Sequence, residues 1–363
     1  MNLPKKQKVI VAMSGGIDSS TAALLLKKAD FEVIGIFFKL FDSPNFKLAE
    51  NKARKAAKIL KIPILILDLR KEFEKKVIEH FLKEYEQGRT PNPCIVCNKE
   101  IKFKTLFKKA CEINADFVAT GHYAKIKVEN SSPSSRIIYK LLRAKDIERD
   151  QSYFLWTLTQ KQLKHILFPV GGYTKTQVRY LAKKFKLPGV NTLESREICF
   201  IQRSVDKFLS IYFKPKCGEI INRQGRVVGR HQGLFFYTIG QRKGIVPFLQ
   251  KQEKAKGPYY VFKKDLKRNI LFVTKNQKDL YKKEVILKKA NWIAGKEPKL
   301  PLKIKAKIRY QYKPSSAIVI RYKPKSKYRR YKAIFTRAQK AITSGQSIVF
   351  YKGQEVVGGG VIL

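Results

Sequence analysis

The stretch Ser14-Gly15-Gly16-Ile17-Asp18-Ser19-Ser20 constrains this chain more than any other. It follows an apolar run at 9–13 and leads into a helix-like segment at 19–29. A buried strand that passes through glycines into a helix gathers backbone N–H groups at the positive end of the helix dipole. Ser14, Ser19 and Ser20 add hydroxyl donors, so the junction reads as a cradle for an anion. No Gly-Lys-Ser/Thr follows, which separates it from a Walker A loop. Asp18 sits among the phosphate donors and is expected to contact Mg²⁺, an ion that takes carboxylate and phosphate oxygens. The plainer alternative is an ordinary glycine turn with a serine cap, and the in-register order of strand, loop and helix argues against it.

The same alternation continues. Strand-like runs at 33–38, 64–69 and 117–120 are separated by helical patterns at 47–60, 71–85 and 98–113. Phe73, Val77 and Phe81 share one helix face, as do Phe103, Leu106, Phe107 and Ala110. This order predicts an α/β domain, a Rossmann-like parallel sheet covered by helices. After about residue 210 the texture becomes short β-rich runs broken by Gly and Pro, which predicts a small β-rich unit and then a β-barrel or sandwich. The expected units are 1–210, 211–280 and 281–363. The Ser/Pro-rich run at 130–135 reads as a hairpin tip.

Composition narrows the function. With 44% hydrophobic residues the chain can bury a core. Its net charge of +49 favours polyanionic partners, nucleic acid first among them, although lysines spread this evenly would also follow from compositional bias alone. No apolar window reaches a membrane span, and no secretory signal opens the chain, so a cytoplasmic protein with no membrane partner is expected.

Five cysteines, Cys94, Cys97, Cys111, Cys199 and Cys217, make a disulfide framework improbable in a chain of this length. A tetrahedral zinc site lacks its second Cys-x-x-Cys, and the four histidines are scattered. Cys94 and Cys97 open a helix and are followed by Lys99, Lys102 and Lys104, which is expected to lower their pKa and favour thiolates. Far downstream of that pair, Cys199 stands beside Arg196 in Ser195-Arg196-Glu197-Ile198-Cys199-Phe200. Cys111 is expected to be a small core residue, and Cys217 has no evident partner.

These motifs carry a resemblance. Ser-Gly-Gly-x-Asp-Ser resembles the pyrophosphate loop of the PP-loop ATPases (adenine nucleotide alpha hydrolase-like), which cleave ATP between its α- and β-phosphates and adenylate an oxygen. Asn92-Pro93-x-x-x-Cys97-Asn98-Lys99-Glu100-Ile101-Lys102-Phe103 and Ile198-Cys199-Phe200-Ile201 resemble the two cysteine segments of MnmA-type tRNA 2-thiouridylases. Thr120-Gly121-His122-Tyr123-Ala124, Asp150-Gln151-Ser152-Tyr153-Phe154-Leu155, Tyr237 to Gly244, Arg309-Tyr310, and Ser344-Gly345-Gln346 through Gly358-Gly359-Gly360 extend the likeness along the whole chain.

The resemblance implies ATP-dependent 2-thiolation of a wobble uridine by adenylation of its 2-oxygen. ATP would be held by Ala12, Met13, Ser14, Gly15, Gly16, Ile17, Asp18 and Ser19, with Phe38 and Gly121 beside the adenosine. Cys199 would carry a persulfide and Cys97 would be the nucleophile. The implied tRNA contacts are Asn92, Pro93, Cys94, His122, Arg149, Asp150, Gln151, Arg309, Tyr310 and Gln346, with the basic run at 325–330 touching the RNA backbone. The implied cofactors are ATP and Mg²⁺, and the partners are tRNA rather than DNA and a sulfur donor such as a cysteine desulfurase or relay protein.

The chain departs from the family pattern at Cys94, where an Asp is usual. Cys94 then either replaces that carboxylate in proton transfer, or joins Cys97 and Cys199 as ligands of a four-iron cluster, which thiolate ligation suits. Two other functions stay open from sequence: a PP-loop ligase acting on a small carboxylate or amide, and an RNA-binding protein that keeps the loop as a relic.

Overall fold

The computed structural model describes residues 6–130, 137–190, 198–201, 203–245, 257–322 and 330–363. The hairpin tip at 131–135, Arg196 beside Cys199 and the basic run at 325–329 lie outside the described residues.

The strands, in chain order, are β1 (Lys8–Ala12), β2 (Glu32–Lys39), β3 (Ile64–Asp68), β4 (Phe117–Thr120), β5 (Ala124–Glu129), β6 (Ile138–Arg143), β7 (Ile166–Leu167), β8 (Gly218–Asn222), β9 (Val227–His231), β10 (Tyr260–Asp265), β11 (Ile270–Thr274), β12 (Tyr281–Trp292), β13 (Leu302–Lys307), β14 (Ser315–Tyr322), β15 (Arg330–Lys340), β16 (Ser347–Lys352) and β17 (Glu355–Ile362). The first sheet is parallel throughout, in the order β3-β2-β1-β4-β7. The order reverses between β1 and β4, so the crevice outside their carboxyl ends is where an open α/β sheet binds ligands.

Both faces of this sheet are covered, which is why its strands are apolar at successive positions. Val9, Val11 and Phe37 pack with Ala22, Ala23 and Leu26 of helix Ile17–Lys28 and with Ala53 and Ala57 of helix Pro44–Leu60. Ile10, Ile36 and Phe38 face the other way, onto the segments that carry Phe73, Phe81, Ile101, Phe103 and Leu106. Each of the fully buried rings among these contributes about 1.5–3 kcal/mol.

The two helices on that second face are not regular. One runs Arg70–Phe73, then a π-helical turn Glu74–Ile78, then Glu79–Glu86. The other runs Pro93–Cys97, a π-helical turn Asn98–Phe103, then Lys104–Glu112. Inserted π turns of this kind are frequent at functional sites. Cys111 lies on the exposed side of Lys104–Glu112, not in the core as expected. Leu106 and Ala110 take the buried stripe, and residue 111 is turned about 100° away from Ala110.

A four-stranded sheet, β10-β11-β8-β9, forms the middle region around Ile220, Val261, Leu271 and Val273. The last region is a barrel closed by pairing of β12 with β17, in the order β12-β15-β14-β13-β16-β17. Hairpin β5–β6, from the first region, adds to this barrel through Leu141 and Leu142 of β6 opposite Val356 and Glu355 of β17. Among the described residues no helix is long and apolar enough to cross a membrane.

Candidate active site

The glycine loop sits at the carboxyl end of β1, at the point where strand order reverses. Gly15 has φ +78°, and a Cβ there would stand 2.1 Å from the Ala49 carbonyl oxygen, so the turn demands glycine. Ser19 Oγ accepts from Ser14 N at 3.1 Å and donates to Gly16 O at 3.0 Å, and the two serine hydroxyls lie 3.3 Å apart. Gly16 caps helix Ile17–Lys28 without any side-chain bond, which leaves first-turn N–H groups to a ligand.

Asp18 is held from two directions. Lys175 Nζ reaches its two carboxylate oxygens at 2.7 and 2.9 Å, and Tyr123 Oη donates to Oδ1 at 2.8 Å. The Lys175 side chain is only 7% exposed, so the pair is shielded on the lysine side. A divalent cation on Asp18 would have to share the carboxylate with that ammonium. Lys175 did not stand out in the sequence. Its signal is weak: one lysine after Thr174, which with Gln177 forms a capping box.

Gly121, just after β4, faces this loop. A Cβ on it would lie 2.6 Å from Ser19 N and 2.8 Å from Asp18 C. The next residue, His122, turns toward the opposite side. Its Nδ1 is 2.8 Å from Thr120 Oγ1, its ring stacks on Phe103 at 6.1 Å and meets Phe168 edge-on at 6.2 Å. Burial, and then the charge on Lys102, depress its pKa to about 3, so the imidazole is neutral at physiological pH. Phe38, the other expected adenosine neighbour, is buried near the end of β2.

Cys94, Cys97, Cys199 and Lys102 lie near enough to one another for their charges to interact. Cys97 is buried, whereas Cys94 and Cys199 each keep an exposed face within crowded surroundings. The charges of Cys94 and Cys199 both act on Cys97, that of Cys94 acts on Cys199, and Lys102 acts on all three. The segment bearing Cys199 is fixed by Phe200, whose ring packs on Phe73, Phe81 and Phe208 at 5.7, 5.5 and 5.3 Å.

The acidity runs opposite to the expectation from sequence. Burial pushes Cys97 up to about 12 and Cys199 up to about 11, and raises Cys94 as well; Lys102 opposes the rise without overcoming it. Lys99 is turned outward in an ion pair with Glu100. Among the described residues no group of three or more His, Cys, Asp or Glu side chains is arranged to hold a metal ion.

Several expected tRNA contacts face inward. Asp150 is buried and accepts from Arg143 Nε at 2.9 Å and from the N–H groups of Ser152 and Ala144 at 3.1 and 3.2 Å. Gln151 Oε1 accepts from Tyr123 N at 2.9 Å. Arg309 Nη2 donates to Thr343 Oγ1 at 2.8 Å, Ala341 O at 2.9 Å and Ile239 O at 3.4 Å, joining the barrel to the middle region. Gln346 Nε2 donates to Thr90 O at 2.8 Å and Pro91 O at 3.3 Å, immediately before Asn92 and the cysteine helix. Thr90 N also donates to Ser344 O at 2.9 Å, and Thr90 Oγ1 lies 3.1 Å from Thr238 Oγ1. Asn92 and Pro93 form the start of that helix, with Asn92 at its cap and no side-chain capping bond. Arg149 and Tyr310 lie close enough to interact, and Tyr310 packs on Phe154 at 4.5 Å under Lys307 Nζ at 5.5 Å.

Comparisons with known proteins cover this whole framework. A family model described as the tRNA methyl transferase HUP domain matches residues 7–203, one described as the tRNA methyl transferase PRC-barrel domain matches 206–275, and one described as the aminomethyltransferase beta-barrel domain matches 282–362. The tRNA-specific 2-thiouridylase MnmA of Syntrophomonas wolfei is 40% identical over 355 residues, covering 98% of this chain and 99% of the relative. That of Clostridioides difficile is 40% identical over 368 residues, with 98% of each covered. Among solved structures, the U34-tRNA thiolase NcsA from Methanococcus maripaludis with its [4Fe-4S] cluster aligns at 19% identity over 55% of this chain and 63% of that one, with a TM-score of 0.37.

Proposed function

This chain belongs to the family of MnmA-type tRNA-specific 2-thiouridylases, and we infer from that membership how its own residues carry out ATP-dependent 2-thiolation of the tRNA wobble uridine. The observation that supports the assignment of roles is the strand end at Thr120–His122. Gly121 abuts the glycine loop, and His122 stacks on Phe103 within reach of the Lys102 charge that also acts on the three thiols. One short segment thus borders both halves of a reaction that needs a nucleotide phosphate and a sulfur nucleophile at the same atom.

In this reading the loop at 12–19 holds the ATP phosphates on first-turn N–H groups and the Ser14 and Ser19 hydroxyls, and Phe38 and Gly121 border the adenosine. The Lys175–Asp18–Tyr123 contacts fix the first helical turn under the phosphates. Magnesium enters only as a companion of those phosphates. Adenylation of the uracil 2-oxygen makes it a leaving group, Cys199 delivers terminal sulfur, and Cys97 attacks the Cys199 sulfur as the terminal atom passes to the base. Lys102 is the cation positioned to favour each thiolate when it forms. His122 works as a neutral hydrogen-bonding group. Arg149, Tyr310 and the backbone around Asn92 and Pro93 border the RNA, whereas Asp150, Gln151, Arg309 and Gln346 shape its binding surface from within. The sulfur is supplied by a separate persulfide-forming protein, and the three units 1–210, 211–280 and 281–363 carry the nucleotide site, the middle RNA surface and the barrel.

The test is nucleoside mass spectrometry. Purified protein given unmodified tRNA, ATP and a persulfide source should produce 2-thiouridine at the wobble position, and Cys97→Ser and Cys199→Ser should each abolish it. Full activity in both variants, or a cell lacking the protein with unaltered wobble 2-thiouridine, would overturn these roles.

A further inference from the structure

Thiolation by this route uses two thiols and leaves them joined. When Cys97 attacks Cys199 and sulfur departs to the base, the enzyme is left with a Cys97–Cys199 disulfide and cannot begin again. A third thiol stands beside Cys97. Cys94 lies one helical turn before Cys97, on the same side of the segment Pro93–Cys97, and it keeps an exposed face. We propose that Cys94 is the resolving thiol of the catalytic cycle: its sulfur attacks Cys97 Sγ in the Cys97–Cys199 disulfide, forms a Cys94–Cys97 disulfide and releases Cys199 as a free carrier.

The exchange balances within the trio. One S–S bond forms as another breaks, the proton lost by Cys94 is matched by the one gained by Cys199, and no electrons leave the protein. An external dithiol then reduces the Cys94–Cys97 bond to two thiols and is itself oxidised to a disulfide. The placement suits each step. Cys97 is the buried member, and helical spacing sets Cys94 one turn away from it on the same short segment. A Cys-x-x-Cys pair at a helix start is a redox-competent arrangement. Closing it asks the two Cβ atoms to move from helical spacing, about 5–6 Å, to the roughly 3.5–4.5 Å of a disulfide. Moving the disulfide onto the Cys94 side also clears Cys199, on its separately anchored segment, for reloading.

The proposal rests on the thiolation reading, and the experiment separates the two. Full-length protein is loaded with persulfide by inorganic polysulfide, given tRNA and ATP without reductant, quenched by acid and alkylated; the disulfide-linked peptides and the 2-thiouridine are then quantified by mass spectrometry. The expected result is a Cys94–Cys97 link in the parent protein and a Cys97–Cys199 link in Cys94→Ser. With a limiting external dithiol and continued sulfur supply, Cys94→Ser should give a burst of product and then a steady rate lower than the parent's by about tenfold or more. A Cys97–Cys199 link persisting in the parent, with no stall in Cys94→Ser, overturns the proposal while leaving thiolation intact. Stoichiometric iron and sulfide on the three cysteines of anaerobically prepared protein also overturns it. Absence of any 2-thiouridine from the parent would instead refute the thiolation reading beneath it.

Discussion

The weakened acidity of the two principal thiols makes a sharp prediction about their reactivity. At pH 8 a cysteine with an ordinary pKa of about 8.5 is roughly one quarter thiolate. Cys199, raised to about 11 by burial, is then only about one part in a thousand thiolate, so its alkylation should be slower by roughly two hundredfold. Cys97, at about 12, should be slower still by about another factor of ten. Iodoacetamide labelling of the free protein, followed residue by residue with mass spectrometry between pH 7 and 11, measures this directly. The Cys199 rate should climb about tenfold per pH unit without levelling below pH 10. Lys102→Met, which removes the cation opposing the rise, should slow both sites further at every pH. The same shift has a stability consequence. The unfolded chain loses its thiol protons above about pH 8.5 while the folded chain retains them, so stability falls as pH rises from there through the folded values. A labelling plateau below pH 9, or a Cys199 rate at pH 8 equal to that of an unstructured cysteine peptide, would refute the view that burial controls these thiols.

Three further outcomes follow from the geometry. Lys175→Met leaves Asp18 with only Tyr123 among its described donors and should lower stability by about 1–3 kcal/mol, at the lower end because Asp18 is one-third exposed; an unchanged urea midpoint would contradict it. Gly121→Ala drives a methyl group into the backbone at Asp18 and Ser19, which should weaken ATP binding by about tenfold or more on calorimetry, through an overpacking cost of about 1–3 kcal/mol. Gln346→Ala frees the loop before the cysteine helix, so kcat for thiolation should fall several-fold with KM for tRNA little changed; the reverse pattern would mean that Gln346 acts mainly by touching RNA.

Much of the architecture was legible because it depends on local pattern. The run at 9–13 and the glycines after it define β1, its loop and its helix within one or two residues of where they lie. The alternation of strand and helix through Thr120 encodes the parallel sheet. A C-terminal β-barrel was legible from the run of short strands, but not which strands close it: β17 meets β12 across about seventy residues, and hairpin β5–β6 meets β17 across about two hundred, and no local period records such pairings. The π turn at Asn98–Phe103 was hidden for a related reason, since the apolar spacing there satisfies an ordinary helix. At the site, the acidity of the thiols could not be foreseen from residue types. Nearby lysines suggested thiolates, and only the folded arrangement reveals that Lys99 turns away and that burial outweighs Lys102. Lys175 went unnoticed because its partner, Asp18, is 157 positions distant.

The clamp on Thr90 and Pro91 gives the two halves of the site different foundations. Ser344 and Gln346, which secure that loop, stand just before β16 of the barrel, with Gln346 256 positions along the chain from Thr90. The nucleotide loop is built within the first sheet, whereas the entrance to the cysteine helix takes its bearing from the barrel.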